Sequence, residues 1–173
     1  RQIMKIGVLA SFYGVWYVNL ASRMGLSEKE AEKLQKKIFS TYRKAKQWGD
    51  YQIKGVMQHG YTQSVMGRRI YFEDTSPRMQ WRLKKESRNY PIQTTGADMA
   101  KLAEVKIYDI IQKKNYDAHF IIGLHDELVL SCHESQAQDC FADMKQAMME
   151  AGSEICPSVQ FPVEGVVSDK WEH

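Results

Sequence analysis

Two β-rich runs, residues 120–124 and 128–132, stand on either side of the polar tripeptide His125-Asp126-Glu127. Runs so short and so closely spaced pair as an antiparallel hairpin, because a parallel return needs a crossover of a dozen residues or more. Most of the chain around them has helical spacing instead. Beyond Pro91, the residues Met99, Leu102, Ala103, Ile107, Ile110 and Ile111 recur at steps of three and four, which predicts the longest helix of the chain. Residues 135–151 predict another, with Phe141, Met144, Ala147 and Met148 on one face. A terminal strand is expected at 163–167. Helices in front, followed by a sheet with packed helices, define an α+β chain.

Local signals organise the first sixty residues. Gly25 can close one helix, and Ser27 with Glu30 forms a capping box that opens the next. Gly49 and Gly60 are expected to punctuate the chain downstream of that box. YTQSVMGRRIYF, residues 61–72, reads as two short extended runs around Met66-Gly67 and predicts a second hairpin.

Composition excludes some classes. With 43% hydrophobic and 26% charged residues, the chain has a globular balance, and no apolar run is long enough to span a bilayer. Three widely spaced cysteines without a CxxC pair point to neither a disulfide framework nor a zinc knuckle, so a reducing compartment is expected. A net charge of +3 is too mild to identify a partner. Lys and Arg nevertheless crowd residues 29–46 and 68–88, a distribution that suits either a phosphate-facing surface or solvated helix faces.

Three groups of residues carry candidate chemistry. Arg1, Lys5, Leu9 and Tyr13 recur every fourth position along one helical face, placing two cations above an apolar and an aromatic group. A nucleotide fits that order, with the triphosphate against the cations and the sugar and base below; an ordinary amphipathic helix fits it too. Asp126 and Glu127 bring adjacent carboxylates to a hairpin tip. Oxygen ligands of this kind suit Mg²⁺, and a solvated acidic turn is the alternative. Because strand neighbours alternate sides, Asp126 is the expected principal ligand. Asn89 and Gln93 are amides placed before the long helix, just after Lys84, Lys85 and Arg88; they suit sequence-blind minor-groove contacts as well as helix capping.

Taken together, these segments resemble the family A DNA polymerases of the bacterial DNA polymerase I type. Arg1, Lys5 and Tyr13-Gly14 are similar to motif B, R-x-x-x-K followed by Tyr-Gly. GYTQSVMGRRIYF is similar to the family's G-Y-x-x-T-x-x-G-R-R segment, NYPIQTTGADMAKLA to its N-x-P-x-Q-x-x-A-A-D-x-x-K helix start, and LHDELVL to motif C. The order is the family's, from one end of the chain to the other.

The resemblance implies a helical fingers segment, residues 1–85, followed by part of an antiparallel palm, residues 86–173. It implies that Arg1 and Lys5 grip the incoming dNTP, with Leu9 and Tyr13 beside its sugar and base. Asp126 and Glu127 would bind catalytic metal and Lys5 would assist pyrophosphate departure. Arg68, Lys85, Arg88, Asn89, Gln93 and His125 would contact primer-template DNA. Two Mg²⁺ ions are implied, and their bridging carboxylate belongs to motif A, a D-Y-S-x-I-E-like strand that this sequence does not contain. An upstream segment or complementary subunit is therefore expected to supply it, the isolated chain being inactive. Arg1, without Met and inside a motif, leads to the same expectation. The setting implied is the cytoplasm of a bacterial or phage-infected cell, or an organelle. Two positions depart from the family pattern: Leu9 stands where Phe or Tyr is usual, and Lys85 where Arg is usual. Rival readings are a non-catalytic, polymerase-derived DNA-binding subunit and a metal-dependent nuclease or phosphatase built on the acidic tip.

Overall fold

A computed structural model describes residues 2–74 and 76–171. Helix α1 (Gln2–Phe12), α2 (Tyr17–Met24), α3 (Glu28–Thr41) and α4 (Arg43–His59) lead into the hairpin β1 (Tyr61–Gln63) and β2 (Arg69–Tyr71). Then come the long α5 (Gln80–Lys114), a second hairpin of β3 (Ala118–Leu124) and β4 (Glu127–Cys132), and α6 (Ala137–Ile155). The α+β class expected from the sequence is the one observed. Two compact units divide the chain, the first ending at Gln93 and the second starting at Thr94, with the division inside α5.

In the first unit the helix ends follow their local chemistry. Gly25 closes α2 in the left-handed conformation at φ 66°, where its N–H and that of Leu26 both donate to the Ala21 carbonyl. Ser27 opens α3 with the full capping box: its N–H donates to Glu30 Oε2 at 2.9 Å and its hydroxyl accepts from the Glu30 N–H. The Ser27 hydroxyl, with the Ser27 backbone N–H, holds the Glu30 carboxyl below the usual range. Gly60 ends α4 at φ 75° and turns the chain into β1. Tyr61 pairs with Tyr71 and Gln63 with Arg69, so the hairpin turns around Met66-Gly67 as expected. Leu20, Ala31, Ile38, Val56 and Leu83 form the buried interior.

Two expectations for this region are corrected. Gly49 does not punctuate; it lies buried inside α4, where a Cβ would come within 3.1 Å of Arg88 Nε. Its bare backbone makes room for that side chain. The long helix does not begin beyond Pro91 but at Gln80, after a short 3₁₀ turn that starts at Pro77. Pro91 is carried within it, although its ring nitrogen has no hydrogen to give the carbonyl of Ser87. Asn89 and Gln93 are thus helical residues, not a preceding loop.

The second unit packs the rest of α5, the β3–β4 hairpin and α6 around Ala103, Ile107, Ile111, Ala118, Leu128, Cys140, Ala147 and Ala151. These include several of the apolar positions read from the helical periodicity. Lys114 and Tyr116 both donate to Asp143 Oδ2, at 2.6 and 2.7 Å, fastening the end of α5 to α6. All three cysteines are free. Burial, with the neighbouring Cys132, pushes the Cys140 thiol up to about 12, which makes it an inert core group.

The strand expected at 163–167 does not form, and residues 156–171 have no regular strand or helix. Its small and aromatic residues lie against α6 instead of pairing. A Cβ on Gly165 would be 2.8 Å from the Phe141 ring, and one on Gly152 would be 2.7 Å from the ring of Phe161.

Candidate functional site

The cationic stripe begins at Arg1, which lies outside the described residues. Lys5 is exposed on α1, and Leu9, one turn later, is 44% exposed. Tyr13 follows just past the helix end, half-buried, with its N–H still donating to the Leu9 carbonyl at 2.9 Å. Gly14 then turns at φ 79°, and a Cβ there would meet Lys85 Cα at 3.5 Å, so the end of α1 lies against the first part of α5. Lys85 itself is exposed.

Beside the stripe is a groove of about 280 Å³, lined chiefly by Leu9, Phe12, Tyr13, Phe39, Trp48 and Ile92. Phe12 meets Phe39 edge to face at 5.6 Å and Tyr42 at 6.0 Å. Such walls receive a planar ring or a sugar more readily than a charged group, which is the division of labour a nucleotide demands. Leu9 and Tyr13 were expected here. Phe12, Phe39 and Trp48 were not, because the contacts that join them depend on how separate helices cross.

Arg88 reaches from α5 to α4, where its Nη2 donates to Asp50 Oδ1 at 2.9 Å; Lys46 takes the other carboxylate oxygen at 2.8 Å. Partial burial works to raise the Asp50 pKa, but Lys46 and Arg88 outweigh it and hold the carboxyl below its ordinary range. Asn89 is buried, and its Oδ1 has no hydrogen-bond partner among the described residues. Gln93, one turn on, is exposed, as is Arg68 at the β1–β2 turn, whose main-chain N–H donates to Ser64 Oγ at 3.1 Å.

The acidic tip belongs to the second unit. Leu124 pairs with Glu127, leaving His125 and Asp126 as a two-residue loop. His125 adopts φ 56°, a left-handed conformation of the kind that tight hairpin loops require at their first position. Both loop residues are exposed. Glu127 is already on β4 and half-buried, and its Oε1 accepts from the indole N–H of Trp171 at 2.8 Å. Two adjacent carboxylates are thereby placed differently, Asp126 in the loop and Glu127 on the strand.

No group of three or more His, Cys, Asp or Glu residues that could hold a metal ion occurs among the described residues. Asp126 and Glu127 nonetheless fit one side of a Mg²⁺ shell, since that ion takes only one or two carboxylates and fills its other positions with water and phosphate oxygens. No helix among the described residues is long and apolar enough to cross a membrane.

The family model for DNA polymerase family A matches residues 1–173. The chain is 29% identical to DNA polymerase I of Aquifex aeolicus, over 99% of this chain and 30% of that protein. It is 32% identical to a thermostable DNA polymerase I of Thermus filiformis, over 87% of this chain and 18% of that protein. Among solved structures it is similar to the POL domain of Pol1 from M. smegmatis in complex with DNA primer-template and dNTP. That likeness has a TM-score of 0.80 at 22% identity and covers 87% of this chain and 27% of the other, so it speaks for the fold. The chain spans less than a third of the length of each of these proteins.

Proposed function

The chain belongs to DNA polymerase family A, and from that premise we propose that it is the C-terminal fingers-and-palm portion of a DNA-directed DNA polymerase. Residues 1–85 serve as fingers and 86–173 as palm. The observation that carries this reading is Asp126, exposed in a two-residue loop with Glu127 beside it, in a chain whose whole length matches the family.

The reaction joins a primer 3′-hydroxyl to the α-phosphate of a dNTP. The new P–O bond forms as the bond from the α-phosphorus to the bridging α–β oxygen breaks; pyrophosphate leaves and the hydroxyl proton passes to solvent. Arg1 and Lys5 neutralise the triphosphate, and Lys5 stabilises the departing charge. Leu9 and Tyr13 form the apolar side of the nucleotide site at the edge of the aromatic groove. Asp126 is the principal metal-holding carboxylate and Glu127 an auxiliary one; two Mg²⁺ ions, when bound, supply charge stabilisation at the attacking and leaving oxygens.

DNA contacts fall to the remaining residues. Arg68 and Lys85 are exposed cations suited to backbone phosphates, whereas Arg88 spends part of its charge on Asp50. Gln93 is exposed, and its side-chain amide N–H groups suit the N3 and O2 acceptors of the minor groove; Asn89 is buried, and its minor-groove role rests on the resemblance to the family motif. His125 at the loop approaches the primer terminus.

Two metals would need a further carboxylate beside Asp126 and Glu127. We assign it to a motif A strand on an upstream segment or a complementary chain. Primer extension with and without such a partner tests the reading. DNA binding that is indifferent to Asp126→Ala, with no extension under any complementation, would instead favour a non-catalytic DNA-binding subunit.

A further inference from the structure

The irregular segment after α6 is tied down at three places. Phe161 sets its ring on the bare backbone of Gly152, which is buried in α6; a Cβ there would lie 2.7 Å from Phe161 Cδ2 and 3.1 Å from its Cβ. Four residues later the relation reverses. Gly165 of the segment receives the ring of Phe141 from α6, at 2.8 Å from where a Cβ would stand. Beyond these two interlocks the segment reaches the β3–β4 hairpin, where Trp171 Nε1–H donates to Glu127 Oε1 at 2.8 Å.

We propose that Trp171 is a positioning residue for the acidic tip: carried on this strap, it clamps the Glu127 carboxylate, so that Asp126 is the carboxylate the tip presents. The functional consequence rests on the polymerase reading. An indole N–H is a donor only and cannot itself ligate a cation. By occupying one oxygen of Glu127 it fixes that side chain's orientation and reduces the number of oxygens the tip offers. Mg²⁺ demands near-octahedral geometry, so a second carboxylate swinging freely beside Asp126 would disturb the site more than a fixed one. Partners that orient metal-holding side chains in this way typically matter by roughly 10–100-fold in affinity or activity.

The test has two readouts. In the ¹⁵N-labelled chain, with the Trp171 indole cross-peak assigned by its loss in Trp171→Phe, Glu127→Gln should move that cross-peak upfield and leave those of Trp16, Trp48 and Trp81 in place. An unmoved Trp171 cross-peak overturns the clamp. In the complemented polymerase, Trp171→Phe keeps a ring but loses the N–H. The Mg²⁺ concentration for half-maximal primer extension should rise roughly tenfold, with melting temperature, primer-template affinity and the rate at saturating Mg²⁺ unchanged. An unchanged Mg²⁺ requirement overturns the positioning role. Failure of the polymerase reading looks different: the wild-type assembly extends no primer at any Mg²⁺ concentration, while the indole shift still decides the clamp.

Discussion

Arg88 on α5 and Asp50 on α4 are joined at 2.9 Å, and Gly49, the residue before Asp50, is what lets the arginine side chain pass. Lys46 completes the cluster. Because the Asp50 pKa is lowered on folding, the carboxylate contributes stability that is complete above its ordinary value of 3.8 and is lost as pH falls through the lower folded value. Asp50→Asn should cost roughly 0.5–1 kcal/mol at neutral pH, the modest figure expected of a partly exposed pair. Thermal unfolding of both proteins from pH 7 downward should show their stabilities converging at acid pH.

Leu9 stands at the groove, 44% exposed, and the resemblance to motif B implies an aromatic ring at this position. Leucine offers bulk without a hydroxyl. Leu9→Tyr is expected to raise dideoxynucleotide use relative to deoxynucleotide, because the phenol can stand in for the 3′-hydroxyl that a dideoxynucleotide lacks. One hydrogen bond of about 1 kcal/mol corresponds to roughly fivefold in that ratio. Competitive incorporation assays report it directly, and an unchanged ratio counts against Leu9 as a sugar-facing residue.

Gly152→Ala should destabilise the second unit. The added methyl meets not a flexible tip but the ring and Cβ of Phe161. Overpacking of this kind costs about 1–3 kcal/mol. Urea unfolding should show the lower midpoint, and limited proteolysis should show faster cleavage between Cys156 and Trp171 as the strap loosens.

Much of the fold was legible where a residue's own chemistry decides its conformation. Gly25, Gly60 and the Ser27–Glu30 box mark helix ends, and Met66-Gly67 and His125-Asp126 mark hairpin turns, because each needs only its neighbours. Pro91 misled for the converse reason. Local preference places a helix boundary there, but the buried surroundings of Ser87, Asn89 and Pro91 carry the helix through. The segment around Gly165 reads as a strand by its valines, yet its glycine is taken up by Phe141. Of the candidate site, spacing alone places Lys5 and Leu9 one turn apart on α1 and His125 and Asp126 at a hairpin tip. Trp171 was not legible in this way, since its partner lies 44 residues away and only the path of the strap brings them together.

Asp126 is the residue on which the polymerase reading depends, and primer extension in Mg²⁺ tests it most directly. The purified chain alone should extend no primer. Mixed with a partner that supplies the motif A strand it should do so, and Asp126→Ala should reduce that activity by at least about 100-fold. Extension by the chain alone, or full activity of the Asp126→Ala chain in the complemented assembly, would contradict the account.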